Sequence, residues 1–288
     1  MSSKILVTGA TGNVGSKVVE QLSAAGIPVR AAVQSLSKAG KIKSAGAEPV
    51  EFDLTRAETL PAAFDGVEKV FLLTPVVPNM VELGLRAVEA AKKAGVKYIV
   101  RLSVMGANFE PSFPLGHWHR EVEKAIESSG IPYTLLRPNS FMQNYSSSLS
   151  GDIKTQSAFY LPMGDAKLSV IDTRDIAFVV AEILRNSGHE GQSYELTGPD
   201  SLSNYDVAEI LSKVTGRKIN YISVPEEGAR KGMKDAGMPD WIIDMLNELF
   251  AVQRAGKMGT VSSAVERITK RKPISFSQFV TDHLAAFK

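Results

Sequence analysis

The chain has 288 residues, 44% of them hydrophobic and 22% charged, with a formal net charge of +2. That balance supplies a large core and leaves no basic stripe for nucleic acid, and a chain without cysteine has no disulfide, catalytic thiolate or Cys-ligated zinc. No apolar run approaches the roughly 20 residues of a membrane span, and Met1-Ser2-Ser3-Lys4 leads into a strand pattern with no signal-peptide core, so a cytoplasmic protein with neither membrane nor nucleic acid as partner is expected.

Ile5-Leu6-Val7 is a short apolar run close to a glycine and reads as a buried parallel strand. Over residues 14–25, Val14, Val18, Val19, Leu22 and Ala25 fall at helical spacing, and Gly26 ends the helix. Residues 29–33 form a second strand, and residues 67–73 another, after the Asp65-Gly66 turn. Residues 80–94 are helical up to Gly95, 98–102 extended, 118–128 helical and 133–136 extended. The helix over 118–128 carries Trp118, Val122, Ala125 and Ile126 on one face. Such alternation predicts an α/β fold, a Rossmann-type doubly wound parallel sheet with helices on both faces.

After Asn144 the pattern loosens, and Ser146-Ser147-Ser148 with Gly151 suggests a loop leaving the sheet. Residues 168–171 and 193–197 read as short strands around a helix over 173–185. Ser203 is a plausible N-cap for a helix over 204–214, Pro239 opens another, and Ser275 caps the last. Arg267, Lys270, Arg271 and Lys272 read as a solvated helix end. The expected organisation is a dinucleotide-binding domain over 1–150, a return of 170–197 to the sheet, and a smaller, mainly helical substrate-covering lobe over 198–288.

Between the first strand and the first helix lies Val7-Thr8-Gly9-Ala10-Thr11-Gly12-Asn13-Val14-Gly15. Its G-x-x-G-x-x-G spacing is one residue longer than the common dinucleotide fingerprint, with the same logic. Gly9 makes the sharp turn, Gly12 lets backbone approach a pyrophosphate, and Gly15 lets the helix sit close. The anion then meets free amides at a helix N-terminus, so Thr11, Asn13 and Val14 join the three glycines as cofactor-binding residues. Any tight strand-to-helix turn can use glycines; the position after the first strand is what points to a cofactor. The second strand ends in Gln34 and Ser35, with Lys38 beyond and no acid to bind a ribose 2′-hydroxyl. NADP is the expected cofactor, with NAD also admitted.

Residues Thr8 to Gly15, with Asp53-Leu54 after the third strand, resemble the atypical short-chain dehydrogenase/reductase superfamily. Within it the chain resembles the NmrA-like group, through Lys97 to Ser103, Ile131 to Pro138, Ser193 to Gly198 and Asp206 to Val224. That group holds NADP-sensing regulators, quinone reductases and triphenylmethane dye reductases. The resemblance implies that Asp53 and Leu54 flank the adenine and that Leu73, Thr74 and Pro75 pass the pyrophosphate and ribose. It further implies that Ser103 lies near the nicotinamide and that Pro138, Asn139, Ser140 and Phe141 shape the pocket beneath it. Many members carry an arginine about where Gln34 stands.

The superfamily's usual acid is a tyrosine followed four residues later by a lysine on a helix, and no tyrosine of this chain has that partner. Tyr133 precedes Arg137, but on a predicted strand, where that spacing makes no helical pair. The helix that should carry the pair reads His117-Trp118-His119-Arg120-Glu121-Val122-Glu123-Lys124, with Arg120 in the tyrosine's place. Ketone chemistry needs a proton donor or oxyanion stabiliser set in advance. A quinone or cationic dye needs mainly orientation, because its reduced form is stabilised by delocalisation. Ser103 and His119 are the candidate catalytic residues, a serine orienting a substrate oxygen and an imidazole titrating near neutrality. Each also has an ordinary structural reading, a strand-end serine bonding local backbone and a helix histidine that only packs. No histidine has metal-ligand spacing, and no metal is expected. Two functions stay open: an NAD(P)H-dependent reductase of small aromatic or quinone-like acceptors, and a non-catalytic NADP-sensing regulator. Either is compatible with a homodimer.

Overall fold

The alternating runs of the first half form β1 (Ile5–Val7), α1 (Gly15–Ala24), β2 (Val29–Val33), β3 (Glu48–Glu51), α2 (Leu60–Phe64), β4 (Lys69–Leu72), α3 (Met80–Lys93), β5 (Tyr98–Leu102), α4 (Pro114–Ser128) and β6 (Tyr133–Pro138). These elements belong to a computed structural model that describes residues 4–40, 42 and 46–288. Downstream follow α5 (Gln143–Ser147), α6 (Ser150–Gln156), β7 (Ala158–Leu161), β8 (Lys167–Leu168), α7 (Thr173–Arg185), β9 (Gln192–Leu196), β10 (Leu202–Ser203) and α8 (Asn204–Thr215). The last elements are β11 (Asn220–Ser223), α9 (Glu226–Asp235), α10 (Asp240–Arg254), α11 (Ala264–Thr269) and α12 (Phe276–Asp282).

Among the described residues the central sheet runs β3-β2-β1-β4-β5-β6-β9. The pairs from β3 through β6 are parallel, with Ile5 against Val29 and Lys69. The order reverses between β1 and β4, which places the topological switch point at their carboxyl ends, where doubly wound sheets bind ligands. Alternation sets the layers. Leu6, Val70, Leu72 and Ile99 share one core cluster with Leu83, Ala87 and Val88 of α3 and with Val122 and Ile126 of α4. Helix α1 packs instead on α7. At Gly84, an added Cβ would lie 2.4 Å from the Val122 side chain, so only glycine admits this approach of α3 and α4.

The described chain divides into two compact units. One comprises residues 1–107, 117–137 and 173–194, and the other 108–116, 138–172 and 195–288. Residues 138–150, assigned from sequence to the first domain, thus fall in the second unit. In that unit, β7 and β11 pair in parallel and β8 pairs antiparallel with β10. An aromatic cluster of Tyr145, Phe159, Tyr221, Phe276 and Phe279 fills its interior. Met142, Tyr145 and Met163 are core residues there.

Several elements differ from the sequence reading, each for a local reason. The serine run that signals a loop lies in α5 and its exit, because Ser146 and Ser147 donate their hydroxyls back to the Gln143 carbonyl at 3.1 and 2.8 Å. Residues 168–171 form no strand of the central sheet; Lys167–Leu168 pairs with β10, and Ile171 makes an isolated parallel bridge with Phe141. Helix α4 opens at Pro114, a favoured first-turn residue, earlier than the predicted 118. The expected caps are present: Ser203 accepts from the Asp206 amide in a capping box, and Ser275 from the Gln278 amide.

Candidate functional site

The first unit gathers its chemistry at the carboxyl ends of β1 to β5. Thr8, the residue after β1, is buried, and its hydroxyl accepts from the Leu73 amide at 2.6 Å. The Thr8 amide donates to the Phe71 carbonyl at 3.0 Å. This clamp holds the two strand ends at the switch point, and sequence reasoning passed over it.

Gly9 has φ +61°, a left-handed conformation that glycine adopts without cost. Gly12 donates its amide back to the Gly9 carbonyl at 2.9 Å, and a Cβ there would stand 3.4 Å from that oxygen, a contact it tolerates. At Gly15 an added Cβ would lie 2.2 Å from the Gly9 oxygen, so no side chain fits. The obstacle at Gly15 is the turn's own carbonyl, a sharper constraint than the helix–sheet approach expected from sequence. Thr11, Gly12 and Asn13 face solvent, whereas Val14 is buried. No side chain caps α1, and its first turn holds no acid. The N-terminal amides and positive dipole end are therefore without a competing carboxylate.

The Ala10 amide donates to the Ala32 carbonyl at 3.3 Å, which sets the end of β2 beside the turn. Gln34 is exposed and Ser35 half-buried, with Ser35 Oγ 2.9 Å from Ser37 Oγ. The Lys38 side chain lies outside the described residues. Arg30 is spent elsewhere, donating to the carbonyls of Ala62, Ala63 and Asp65. Asp53 accepts from the Thr55 hydroxyl at 2.7 Å and the Thr55 amide at 2.9 Å, bonds that hold its carboxyl below the ordinary value, with further help from Arg56. The Leu54 side chain belongs to the core, so only its backbone is available to a ligand. Leu73 and Thr74 are half-buried and Pro75 exposed.

Ser103 and His119 lie in the same unit, linked by residues that sequence reasoning did not single out. Ile99, Arg101 and Ser103 alternate onto the sheet face that packs against α4. Arg101 is fully buried. It donates through Nη1 to the Leu72 carbonyl at 3.1 Å and through Nη2 to Thr74 Oγ1 at 2.8 Å. Its Nη2 also lies 3.3 Å from His119 Nδ1. Burial pulls the Arg101 pKa down to about 10, against the raising effect of the Glu123 charge, so the guanidinium stays charged at neutrality. Burial and the Arg101 charge push His119 well below the usual imidazole range. Both effects oppose a proton on the ring, against the titrating acid expected there from sequence.

The buried face of α4 carries His119 and Glu123, one turn apart. The pair Arg120–Lys124, set out from sequence as the counterpart of the tyrosine and lysine, is turned outward. Lys124 is bound to Glu121 at the surface, and Arg120 bridges Glu123 and Glu127. Glu123 takes Arg137 on both oxygens, at 2.9 and 2.7 Å, and Arg120 at 3.0 Å. Burial alone would raise its pKa; the hydrogen bonds and charge of Arg137, with the Ser103 hydroxyl and Arg120 nearby, outweigh that and hold the Glu123 pKa below the ordinary value. Ser103 is buried, donates its amide to the Leu136 carbonyl at 2.7 Å, and has no well-aligned hydroxyl bond among the described residues. The sequence signal for this cluster was a charged residue inside the apolar run Tyr98 to Leu102 and an acid four residues after His119.

Residues Pro138 to Phe141 lie in the second unit. Asn139 commits its amide nitrogen to Ser169 Oγ and the Met258 carbonyl, both at 2.8 Å, and its oxygen to the Ser140 amide. Its side chain is a clamp within that unit. Ser140 and Phe141 are half-buried.

Comparison with known proteins agrees with this geometry. The chain is 38% identical over 283 residues to an NAD(P)H azoreductase of Xenophilus azovorans, covering 98% of this chain and 99% of that protein. An NADPH-dependent quinone oxidoreductase of Escherichia coli, solved with NADPH, superposes with a TM-score of 0.88 at 29% identity, over 98% of this chain and 99% of that one. The Citrobacter sp. triphenylmethane reductase complexed with NADP(H) gives 0.86 at 26% identity, over 97% and 99%. Residues 1–280 match the model of the NmrA-like family, and the chain belongs to that family.

Proposed function

We propose that the chain is an NAD(P)H-dependent reductase, preferring NADP(H), that transfers hydride to an electrophilic aromatic acceptor of the quinone, azo or dye type. The observation that carries the reading is the inner face of α4, where His119 Nδ1 lies against the buried Arg101 guanidinium and Glu123 is held by Arg137 and Arg120, so neither side chain is set to give up a proton. An acceptor reduced there is one that needs orientation more than an acid. The azoreductase, quinone oxidoreductase and dye reductase relatives support that acceptor class.

The residues present fit a dinucleotide. The Gly9–Gly15 turn leaves no room for a Cβ at Gly15, it opens onto an uncapped helix N-terminus without an acid, and no carboxylate ends β2. On this reading Gly9, Thr11, Gly12, Asn13, Val14 and Gly15 hold the pyrophosphate, while Gln34, Ser35 and Lys38 meet the 2′-phosphate. Asp53 and the Leu54 backbone meet the adenine, and Leu73, Thr74 and Pro75 pass the ribose. Ser103 serves the nicotinamide end. A reduced nicotinamide supplies the hydride when bound. The same reading assigns a cytoplasmic enzyme without nucleic acid or membrane as partner, and it admits a homodimer; among the described residues no helix is long and apolar enough to cross a membrane.

The direct test is oxidation of NADPH and NADH with a panel of quinones, azo dyes and simple ketones. Quinones and dyes should turn over and ketones should not; turnover of ketones alone, or of nothing in the panel, overturns the reading. Cofactor choice has its own test. Gln34→Asp should weaken NADPH relative to NADH by about tenfold or more, since a carboxylate beside the 2′-phosphate repels it. NADPH binding that is unchanged or tighter in that variant contradicts the placement of Gln34.

A further inference from the structure

We propose that Arg101 is a positioning residue that fixes His119 as its Nε2–H tautomer, and that His119 thereby offers the acceptor a neutral hydrogen-bond donor where the superfamily's tyrosine is missing. The inference rests on the reductase reading and names the group that meets the reduced acceptor.

The argument begins with donor and acceptor inventory. A guanidinium has donors only. Its Nη2, 3.3 Å from His119 Nδ1, forces that nitrogen to accept and leaves the ring proton on Nε2. The geometry is rigid, because Arg101 is anchored to the Leu72 carbonyl and Thr74 Oγ1 at the end of β4. Arg101 from β5 is the charged group that faces the ring. On its own helix, Glu123 is bound by Arg137 and Arg120. Protonating Nδ1 would break the Arg101 contact and set two cations side by side in a buried site, so the neutral form holds over the working range.

The two ring nitrogens point in diverging directions, so a ring held through Nδ1 sends Nε2–H away from Arg101. Nε2 has no partner among the described residues and is not one of the wholly buried unpartnered atoms. His119 is only 7% exposed, so this donor emerges from a largely dry wall, where a hydrogen bond to developing charge is strong. When hydride reaches a quinone or azo group, the acceptor gains the electron pair and the nicotinamide is oxidised. Negative charge then develops on the acceptor's oxygen or distal nitrogen. The Nε2–H bond stabilises that charge, the ring keeps its proton, and water supplies the proton that completes the reduced product.

The test is nitrogen NMR of protein labelled in histidine, combined with kinetics on one quinone. Wild-type His119 should show a pyridine-type Nδ1 and a protonated Nε2, and should not titrate in the ordinary imidazole range. Arg101→Met should release the ring to titrate nearer neutrality and add a matching limb to the pH profile of kcat. Arg101→Lys, which keeps a donor-only cation, covers the case where the methionine variant fails to fold, and should keep the Nε2–H tautomer; an Nδ1–H ring in that variant contradicts the inference. His119→Ala should lower quinone turnover roughly tenfold to a hundredfold, and His119→Gln, which keeps an N–H donor, should recover part of it. An Nδ1–H tautomer or an imidazolium in the wild type overturns the inference while leaving the reductase reading intact. Quinone turnover unchanged in His119→Ala does the same. Absence of turnover in the wild type refutes the reading itself.

Discussion

Gly12→Asp is expected to abolish dinucleotide binding while leaving the fold in place, and Gly12→Ala to keep the fold and weaken binding much less. A Cβ at this position meets only the Gly9 oxygen at 3.4 Å, so the turn accepts a side chain. A carboxylate on that Cβ then stands where the pyrophosphate is expected. Like charges about 4 Å apart near a protein surface repel by about 4 kcal/mol, on the order of a thousandfold in Kd. Gly15→Ala makes the contrast, because its Cβ would sit 2.2 Å from the same oxygen and must distort the turn. Calorimetric titration of NADPH, with circular dichroism and melting curves, separates charge from shape. NADPH affinity retained in Gly12→Asp would show that the anion lies elsewhere.

The second large effect concerns stability. Glu123 is fully buried, and both of its oxygens are taken by arginines. Glu123→Ala removes that carboxylate and leaves Arg137, whose side chain is only 12% exposed, without its partner. Breaking a buried pair from one side costs on the order of 3 kcal/mol, which urea unfolding reads as a clear fall in midpoint. The pH dependence has a definite sign. Because the folded-state pKa of Glu123 is lowered, its contribution is present above the unfolded value near 4.5 and is lost as pH falls through the folded value. The stability gap between wild type and Glu123→Gln should therefore close in acid. A Glu123→Ala midpoint equal to wild type at neutral pH would mean that the ion pair does not support the fold.

The fold was legible because its signals are local. The apolar runs of β1, β2, β4 and β5, the glycine stops and the Ser203 and Ser275 caps all act within a few residues. The phosphate turn was legible for the same reason, as three glycines between a strand and a helix. What escaped depends on pairing across long sequence separations. Thr8 is an ordinary threonine until Leu73 is placed beside it, 65 residues away in sequence. Arg101 looks out of place in its strand until α4 supplies His119 and β4 supplies Leu72 and Thr74. On the inward face of α4, Val122 and Ile126 were legible from their spacing, whereas Glu123 was not, because a carboxylate resembles the solvent side of an amphipathic helix until arginines bury it. The serine run at 146–148 misled in the opposite way, since hydroxyls that favour loops also bond back to helix carbonyls.

The proposed mechanism is hydride transfer by positioning, with a neutral donor and no acid. Single-turnover reduction of one quinone, with protiated and deuterated NADPH over the range from about pH 6 to about pH 9, tests that most directly. The account predicts a primary isotope effect from the deuterated cofactor, a rate flat across this range, and a solvent isotope effect near unity. A rate that falls with a single ionisation inside that range, together with a large solvent isotope effect, would show a proton moving in the same step and contradict the account.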